Sequence, residues 1–514
     1  MGRFFSKIIS FVTLVLSVIL VVGVVKGDKG NPIFFQKESQ RDARVGGPFE
    51  STNNSSRYVL TEAIVEDQTL FLNEQRTRFS SPDLVKVGDK YVSIFTPGIS
   101  FMAVPFYIIG KIFGLPQLFS YLLTTVLAIL NLLLIAYLAT KTGVSKYLGL
   151  LGGVVFLFSS NALSYSATFT QHHASTLFIL LCLLNTLQKR NFLNNLIFGF
   201  CFAASLTVDL PNAFTLLPLA VYVLYKNISL EGQKERLKIS LKLSFVAVFL
   251  GMLPLISLFA LYNKATTGSS TSLAQMIGRY NYPEGDNYKQ QLETRKPQDS
   301  REEKSQEFEL LKTPFETRFQ ASGFYILMLS DERSWLYYSP VILLGFLGLF
   351  FAVRQESLRN ITLLSFSLIV MNILIYTMWG DPWGGWSFGP RYLIPAVAVM
   401  AAFVPYLLNR WRNLAVGLLV LALFTYSSYL SYLGGLTTND IPPKQEAVHL
   451  IEPIPWTYEY NRSFIEKNQS SSLLYNIFLK GKIDLKIYHY LLTAGAAMVF
   501  LSLYWQDYSR RTKK

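Results

Sequence analysis

Four carboxylates and two adjacent histidines stand near arginines in a chain otherwise built of apolar runs. Glu62, Glu66 and Asp67 lie in "SRYVLTEAIVEDQTL", Asp209 in "TVDLPNAF", and His172 and His173 in "TFTQHHAS". A positioned carboxylate or imidazole can take a proton from a reacting hydroxyl. Arg57 sits five residues before Glu62, while Arg333 ("SDERSWLYYSPV") and Arg391 ("WGDPWGGWSFGPRYLIP") each open an apolar run. Guanidinium forks match phosphate oxygens, and aromatic neighbours such as Tyr338, Trp383, Trp386 and Tyr392 would wall such a site. Together the arginines and aromatics would suit a lipid-linked phosphate. Each residue also has a plainer use. Asp209 can cap a following helix, arginines can snorkel to headgroups, and tryptophans collect at bilayer interfaces.

Adjacent histidines on a helix point in different directions, and no third ligand lies at recognisable spacing. His172 and His173 therefore fit hydrogen bonding or acid–base work better than a metal site. The expectation is no cofactor and no metal centre, with a divalent ion left open. No phosphate-binding glycine loop, dinucleotide fingerprint, HExxH or GxSxG occurs, so soluble nucleotide chemistry has no support. Cys182 and Cys201 both lie in apolar runs, which excludes a disulfide framework.

The elements that must position these residues are membrane helices. The chain has 514 residues, is 51% hydrophobic and carries a formal charge of +14. Runs of spanning length fall at 7–25, 118–139, 147–166, 172–188, 192–208, 211–226, 242–262, 336–353, 360–378, 391–408, 413–434 and 487–505. The tract 192–226 makes two helices if "VDLPN" turns. The fold class is thus all-α and polytopic, with about twelve transmembrane helices. Alternate gaps hold the basic residues, among them Lys141 and Lys146, Lys189 and Arg190, Arg354 and Arg359, Arg410 and Arg412, and Arg510 and Arg511. The intervening "TFTQHHA", "VDLPN" and "WGDPWGGWSFGP" have no lysine or arginine. The positive-inside rule places both termini in the cytoplasm and the candidate residues on the outer face. Basic residues used this way are an insertion signal, so nucleic acid is not an expected partner.

Three longer segments then face outward. In 27–96, "NNSSRYVLTEAIVEDQTLFLNE" reads as an amphipathic helix opened by Asn and Ser caps, with Glu62, Glu66 and Thr69 on one face. It either lies on the membrane surface or turns Arg57 and a carboxylate into a cavity between helices. "FTPGISFMAVPFYIIGKIFG" follows it as an interfacial or re-entrant helix, because spanning would invert every later loop. The segment at about 263–335 carries a charged insert, Glu284 to Lys312, and 435–486 is aromatic and proline-rich.

Several motifs together resemble a family. "SRYVLTEAIVEDQTL", "KVGDKYVSIFTPGISFMAVPFYIIGKIFG", "YSATFTQHHASTLFILL", "SDERSWLYYSPVILLGFLGL" and "WGGWSFGPRYLIPA" occur in this order over most of 1–410. The order resembles the GT-C superfamily of polytopic glycosyltransferases, especially the protein mannosyltransferase and aminoarabinose transferase group (glycosyltransferase family 39-like). The resemblance implies a GT-C-like transmembrane domain at 1–434. The charged insert and the region after about 435 are not covered by it, and there the apolar runs and basic gaps predict an outer segment at 435–486 and a last helix with a basic tail at 487–514. The resemblance further implies a cell-membrane enzyme that takes a sugar from a polyprenyl-phosphate donor. A lipid, glycan or protein acceptor would receive it at the outer face, usually with inversion. Glu62, Glu66, Asp67, His173 and Asp209 are then candidates for the base. Arg57, Lys90, His172, Arg333, Tyr338, Trp383, Trp386, Arg391 and Tyr392 are candidates for holding the lipid phosphate and sugar. Relatives commonly carry an Asp-Glu pair just before the Arg-Tyr of the loop helix, where this chain has Asn54 and Ser55. The rival reading is a non-catalytic membrane protein, either a transporter of lipid-linked glycans or an inactive scaffold. Transporters often show interrupted helices in matching halves, and no such repeat is visible here.

Overall fold

The computed structural model describes residues 2–26, 46–233, 236–280, 317–450 and 452–512. The charged insert at 284–312, residues 27–45 and the tail lysines Lys513 and Lys514 lie outside them.

Among the described residues the regular structure is helical apart from two short hairpins. After α1 (Gly2–Val22), the first long segment holds α2 (Thr52–Glu66), α3 (Glu74–Ser80), the hairpin β1 (Leu84–Val87) with β2 (Lys90–Ser93), and α4 (Gly98–Ile112). The bundle continues with α5 (Pro116–Thr140), α6 (Lys146–Phe158), α7 (Ala162–Ser166), α8 (His172–Thr186) and α9 (Phe192–Val208). Next come α10 (Asn212–Thr215), α11 (Leu217–Asn227), the hairpin β3 (Ile228–Gln233) with β4 (Arg236–Leu241), α12 (Val246–Thr267) and α13 (Ala274–Ile277). Beyond the insert follow α14 (Gln320–Met328), α15 (Trp335–Tyr338), α16 (Pro340–Ala352), α17 (Arg359–Thr377), α18 (Ile394–Ala401) and α19 (Val404–Arg410). The chain closes with α20 (Leu414–Leu436), α21 (Lys444–Ala447), α22 (Glu459–Glu466) and α23 (Leu485–Arg511).

Six stretches are long and apolar enough to cross a membrane: Pro116–Thr140, Leu243–Thr267, Glu356–Thr377, Arg391–Arg410, Leu414–Leu436 and Leu485–Arg511. Six shorter apolar helices accompany them, among them Gly98–Ile112. This is an all-α membrane protein. The expected run at 211–226 is in two pieces, because Pro218 has no N–H to continue a helix and sits where α11 begins. The expected run at 147–166 likewise ends early at Phe158 and resumes as the short α7. Close helix approach relies on small residues. A Cβ on Gly199 would lie 1.9 Å from the Val248 carbonyl oxygen, and one on Gly251 2.0 Å from that of Leu196, so α9 and α12 touch through their backbones.

The loop helix takes the buried one of the two placements its sequence allows. All ten residues from Asn54 to Ala63 are buried, so α2 does not lie on a surface. Its short hydroxyl side chains find hydrogen-bond partners inside. Ser56 Oγ donates to the Asp83 carbonyl (2.6 Å), Thr61 Oγ1 to that of Ser100 (3.0 Å), and Ser100 Oγ to that of Arg57 (2.9 Å). Phe49, Tyr58, Phe79, Tyr107, Tyr121 and Phe169 form an aromatic core beneath it, each side chain contributing about 2–3 kcal/mol by burial. The helix is entered at Ser51 rather than at the Asn and Ser residues expected to cap it. It stops at Glu66, before Thr69, because the chain turns left-handed at Gln68 (φ 52°). Residues after 435 pack onto the bundle. Glu50 accepts hydrogen bonds from Lys26 Nζ (2.6 Å), the Asn439 N–H (3.0 Å) and the Thr438 hydroxyl, all buried, and so ties α1 and the first segment to the chain after α20.

Candidate functional site

The break in "TVDLPNAF" creates the centre of the site. Pro211 stops the ladder of α9, and Asn212 locks the break by donating to the Ser205 carbonyl (3.0 Å) and to Ser175 Oγ (3.0 Å). Asp209 caps α9 at its C-terminal end, where the helix dipole offers a carboxylate no stabilisation. Its side chain takes a hydrogen bond from Tyr376 Oη (3.5 Å) and another from Gln171. It keeps part of its surface open although it lies deep among helices. Withdrawal from water raises its pKa to about 6, against the pull of Arg57, the two hydrogen bonds and Arg391.

Two arginines face this acid. Arg57 is buried under the loop helix with its guanidinium carbon 3.7 Å from the centre of the Phe95 ring, and Asn53 one turn earlier accepts from its Nη1. Burial brings its pKa down to about 9, opposed by Asp209 and Asp83. Arg391 comes from the far side of the chain and lies beside Tyr392. Tyr392 stacks on Tyr376, with centroids 4.5 Å apart and planes at 10°. The buried Nε atoms of both arginines have no hydrogen-bond partner among the described residues. Unused donors on buried cations are costly unless a ligand takes them. His172 completes the wall, its ring 5.3 Å from Tyr165 and 6.4 Å from Tyr392.

The glycines in "WGDPWGGWSFGP" make this approach possible. Gly384 has φ +73°, and a Cβ there would come within 2.9 Å of Arg391 Nε. The loop backbone therefore lies directly against the guanidinium.

Other expected residues are engaged elsewhere. Glu62 Oε2 is paired with Arg76 Nε at 2.7 Å, Asp67 pairs with the same arginine, and Glu66 takes Lys111 Nζ at 2.6 Å. These three acids brace the loop helix against α3 and α4. His173 is buried behind His172, with Nε2 2.9 Å from the Ala162 carbonyl oxygen and Asn131 at Nδ1. Adjacent positions on α8 thus place the two imidazoles in separate surroundings. Lys90 is exposed on β2, its Nζ 4.1 Å from the Phe71 ring centre. Arg333 is fully buried with each guanidinium nitrogen engaged, donating to the carbonyls of Glu332 (2.8 Å), Ile441 (2.9 Å) and Trp383 (3.3 Å) and to Ser387 Oγ (3.1 Å). It holds the tryptophan loop in place. Trp383 supplies one of those carbonyls, and Trp386 turns away to donate to Glu446 (2.5 Å). Tyr338 packs against Phe388 and Tyr458 in a separate aromatic cluster.

The Glu62–Arg76 pair yields a test. Glu62→Gln is expected to lower stability by about 1–3 kcal/mol, since Arg76 keeps Asp67, and to leave turnover within about threefold of wild type. Thermal melting and initial rates together check this. A tenfold loss of rate at an unchanged melting temperature would make Glu62 the base instead.

No family model matches the chain, and no curated protein does. Among solved structures, the chain is similar to ArnT from Cupriavidus metallidurans in the apo state (10% identity, TM-score 0.47), covering 97% of this chain and 75% of that one. It is similar to the same protein bound to undecaprenyl phosphate (13%, 0.48), covering 99% and 76%. It is also similar to the apo oligosaccharyltransferase of Archaeoglobus fulgidus (12%, 0.43), covering 84% and 57%. At these identities no residue role passes from one chain to another. The site rests on its own geometry.

Three contributors escaped the sequence reading. Gln171 and Tyr376 hold Asp209, and Phe95 carries Arg57. Gln171 directly precedes the histidine pair, and Tyr376 lies just before the tryptophan cluster. Both stood inside stretches already singled out, but a neutral amide and a phenol at a helix end carry no charge signal of their own.

Proposed function

We propose that this chain is a membrane glycosyltransferase that moves a sugar from a polyprenyl-phosphate donor to a hydroxyl acceptor at the outer face. The observation that carries the reading is that Arg57 and Arg391, each with an Nε unpartnered among the described residues, both act electrostatically on the buried carboxylate of Asp209. The order of motifs resembling GT-C enzymes supports the same donor chemistry. Asp209 takes the proton of the acceptor hydroxyl as its oxygen attacks the anomeric carbon. The bond from that carbon to the phosphate oxygen breaks, and the charge gathering on the departing phosphate is met by Arg57 and Arg391. Attack from the face opposite the phosphate inverts the anomeric centre. His172, Tyr376 and Tyr392 line the space between acid and arginines, and Glu62, Glu66, Asp67 and His173 serve the scaffold. Arg333 holds the loop that seats Arg391. Both termini face the cytoplasm, as the basic gaps between helices require.

The test uses purified full-length protein in lipid with a panel of polyprenyl-phosphate sugars, following release of polyprenyl phosphate. Release that depends on an added acceptor is the expected result. No release from any donor, together with exchange of an intact lipid-linked glycan across the bilayer, would establish a transporter instead.

A further inference from the structure

A second polar site lies at the opposite end of the bundle. The span that starts at Arg391 ends at Arg410, so the two ends stand roughly 30 Å apart. There the ends of α19 and α20 and the last turns of α23 enclose a groove of about 960 Å³. Leu408, Leu414, Met498, Leu501 and Trp505 form its apolar wall, with Arg412 and Arg511 beside them. Leu414 is 78% exposed and Met498 55%, so the wall runs on into the apolar outside of the bundle.

The two arginines are held together. Arg412 Nη2 (2.6 Å) and Arg511 Nη2 (2.9 Å) both donate to the single Oδ1 of Asn409, and Arg412 Nε donates to the carbonyl of the same residue (2.8 Å). Asp507, 3.0 Å from Arg511 Nε, is the one acid lining the groove. Arg510 and Lys146 add positive charge close by, both lying over Tyr147 at 5.1 and 5.2 Å. Pinning two guanidinium groups on one neutral oxygen concentrates like charge, which an anion relieves. A soluble anion would gain nothing from the apolar wall, whereas a phospholipid uses both parts.

We propose that this groove binds an anionic phospholipid of the surrounding bilayer, its phosphodiester on Arg412 and Arg511 and its chains along the apolar wall. A basic pocket between helices near a membrane surface is suited to such headgroups.

Trp505 in the wall reports occupancy. The full chain is placed in phosphatidylcholine nanodiscs doped with brominated phosphatidylglycerol or, separately, brominated phosphatidylcholine. The fluorescence difference between wild type and Trp505→Phe isolates the signal of this residue. Quenching by the anionic lipid is expected at a mole fraction roughly tenfold lower than by the zwitterionic one. Arg412→Gln, which breaks no ion pair, is expected to reduce that preference about fivefold, and the double variant with Arg511→Gln to erase it. Lys189→Gln, removing one charge elsewhere, is expected to leave it intact. Equal quenching by the two lipids in wild type, or a preference that survives the double variant, would overturn the assignment. Relief of quenching by millimolar inorganic phosphate would make the groove a site for a soluble anion instead, which also overturns it.

Discussion

Arg391→Ala is expected to reduce turnover by about two to three orders of magnitude while the protein still folds. The guanidinium comes from the turn that opens a span, and its Nε has no partner among the described residues. Removing it opens space at the site and takes a hydrogen bond from Tyr392. Its loss falls on the step in which charge collects on the leaving phosphate, so kcat drops more than donor affinity. Arg391→Lys is expected to recover only part of the rate, because an ammonium cannot offer two parallel donors to a phosphate. Gly384→Ala should copy the alanine variant in weaker form, since its methyl group would press on Nε and strain a backbone at positive φ. Initial rates against donor concentration, with melting curves for each variant, check the set. Unchanged turnover in Arg391→Ala would remove the arginine clamp from the mechanism.

Asp209→Asn is expected to lower the rate by about a hundred- to ten-thousandfold, the range for loss of a general base. The same substitution should stabilise the protein at neutral pH. The pKa of the acid is raised to about 6 in the folded state from an ordinary 3.8. The folded protein then binds this proton more tightly than the unfolded chain does. Stability from that proton is complete below about pH 4 and is lost as pH rises through 6. Above that point the buried carboxylate costs on the order of 1–3 kcal/mol. Asparagine has no such charge, so the melting temperature of the variant should exceed wild type at pH 7.5 and approach it at pH 4.5. Wild-type activity should rise with pH through about 6 and then level off, as a base that must lose its proton requires. A flat pH profile with a fully active Asp209→Asn would exclude this carboxylate as the base.

Sequence reasoning reached the helices well and the site unevenly. Apolar runs of spanning length and the basic gaps between them follow from the cost of placing polar groups in hydrocarbon, which acts on each segment separately. The turn at Asp209 and Pro211 was legible for a similar local reason, since proline ends a hydrogen-bond ladder wherever it falls. The loop helix was not. Its composition fits a surface helix and a buried one equally, and only the hairpin and α4 supply the partners that let Ser56 and Thr61 go inside.

The acids show the same limit most sharply. Glu62, Glu66, Asp67 and Asp209 look alike as sequence, each an acid in a mostly apolar stretch. Arg76 and Lys111, both distant in sequence from at least one of these acids, neutralise the first three. Asp209 instead meets two uncharged donors and two arginines that lie far from it along the chain. Local spacing determined which segments enter the membrane, where they break and which residue types stand at the breaks. The tertiary structure alone decided which carboxylate faces Arg57 and Arg391, because charge pairing depends on separation in space, and separation in space is fixed by packing among helices hundreds of residues apart.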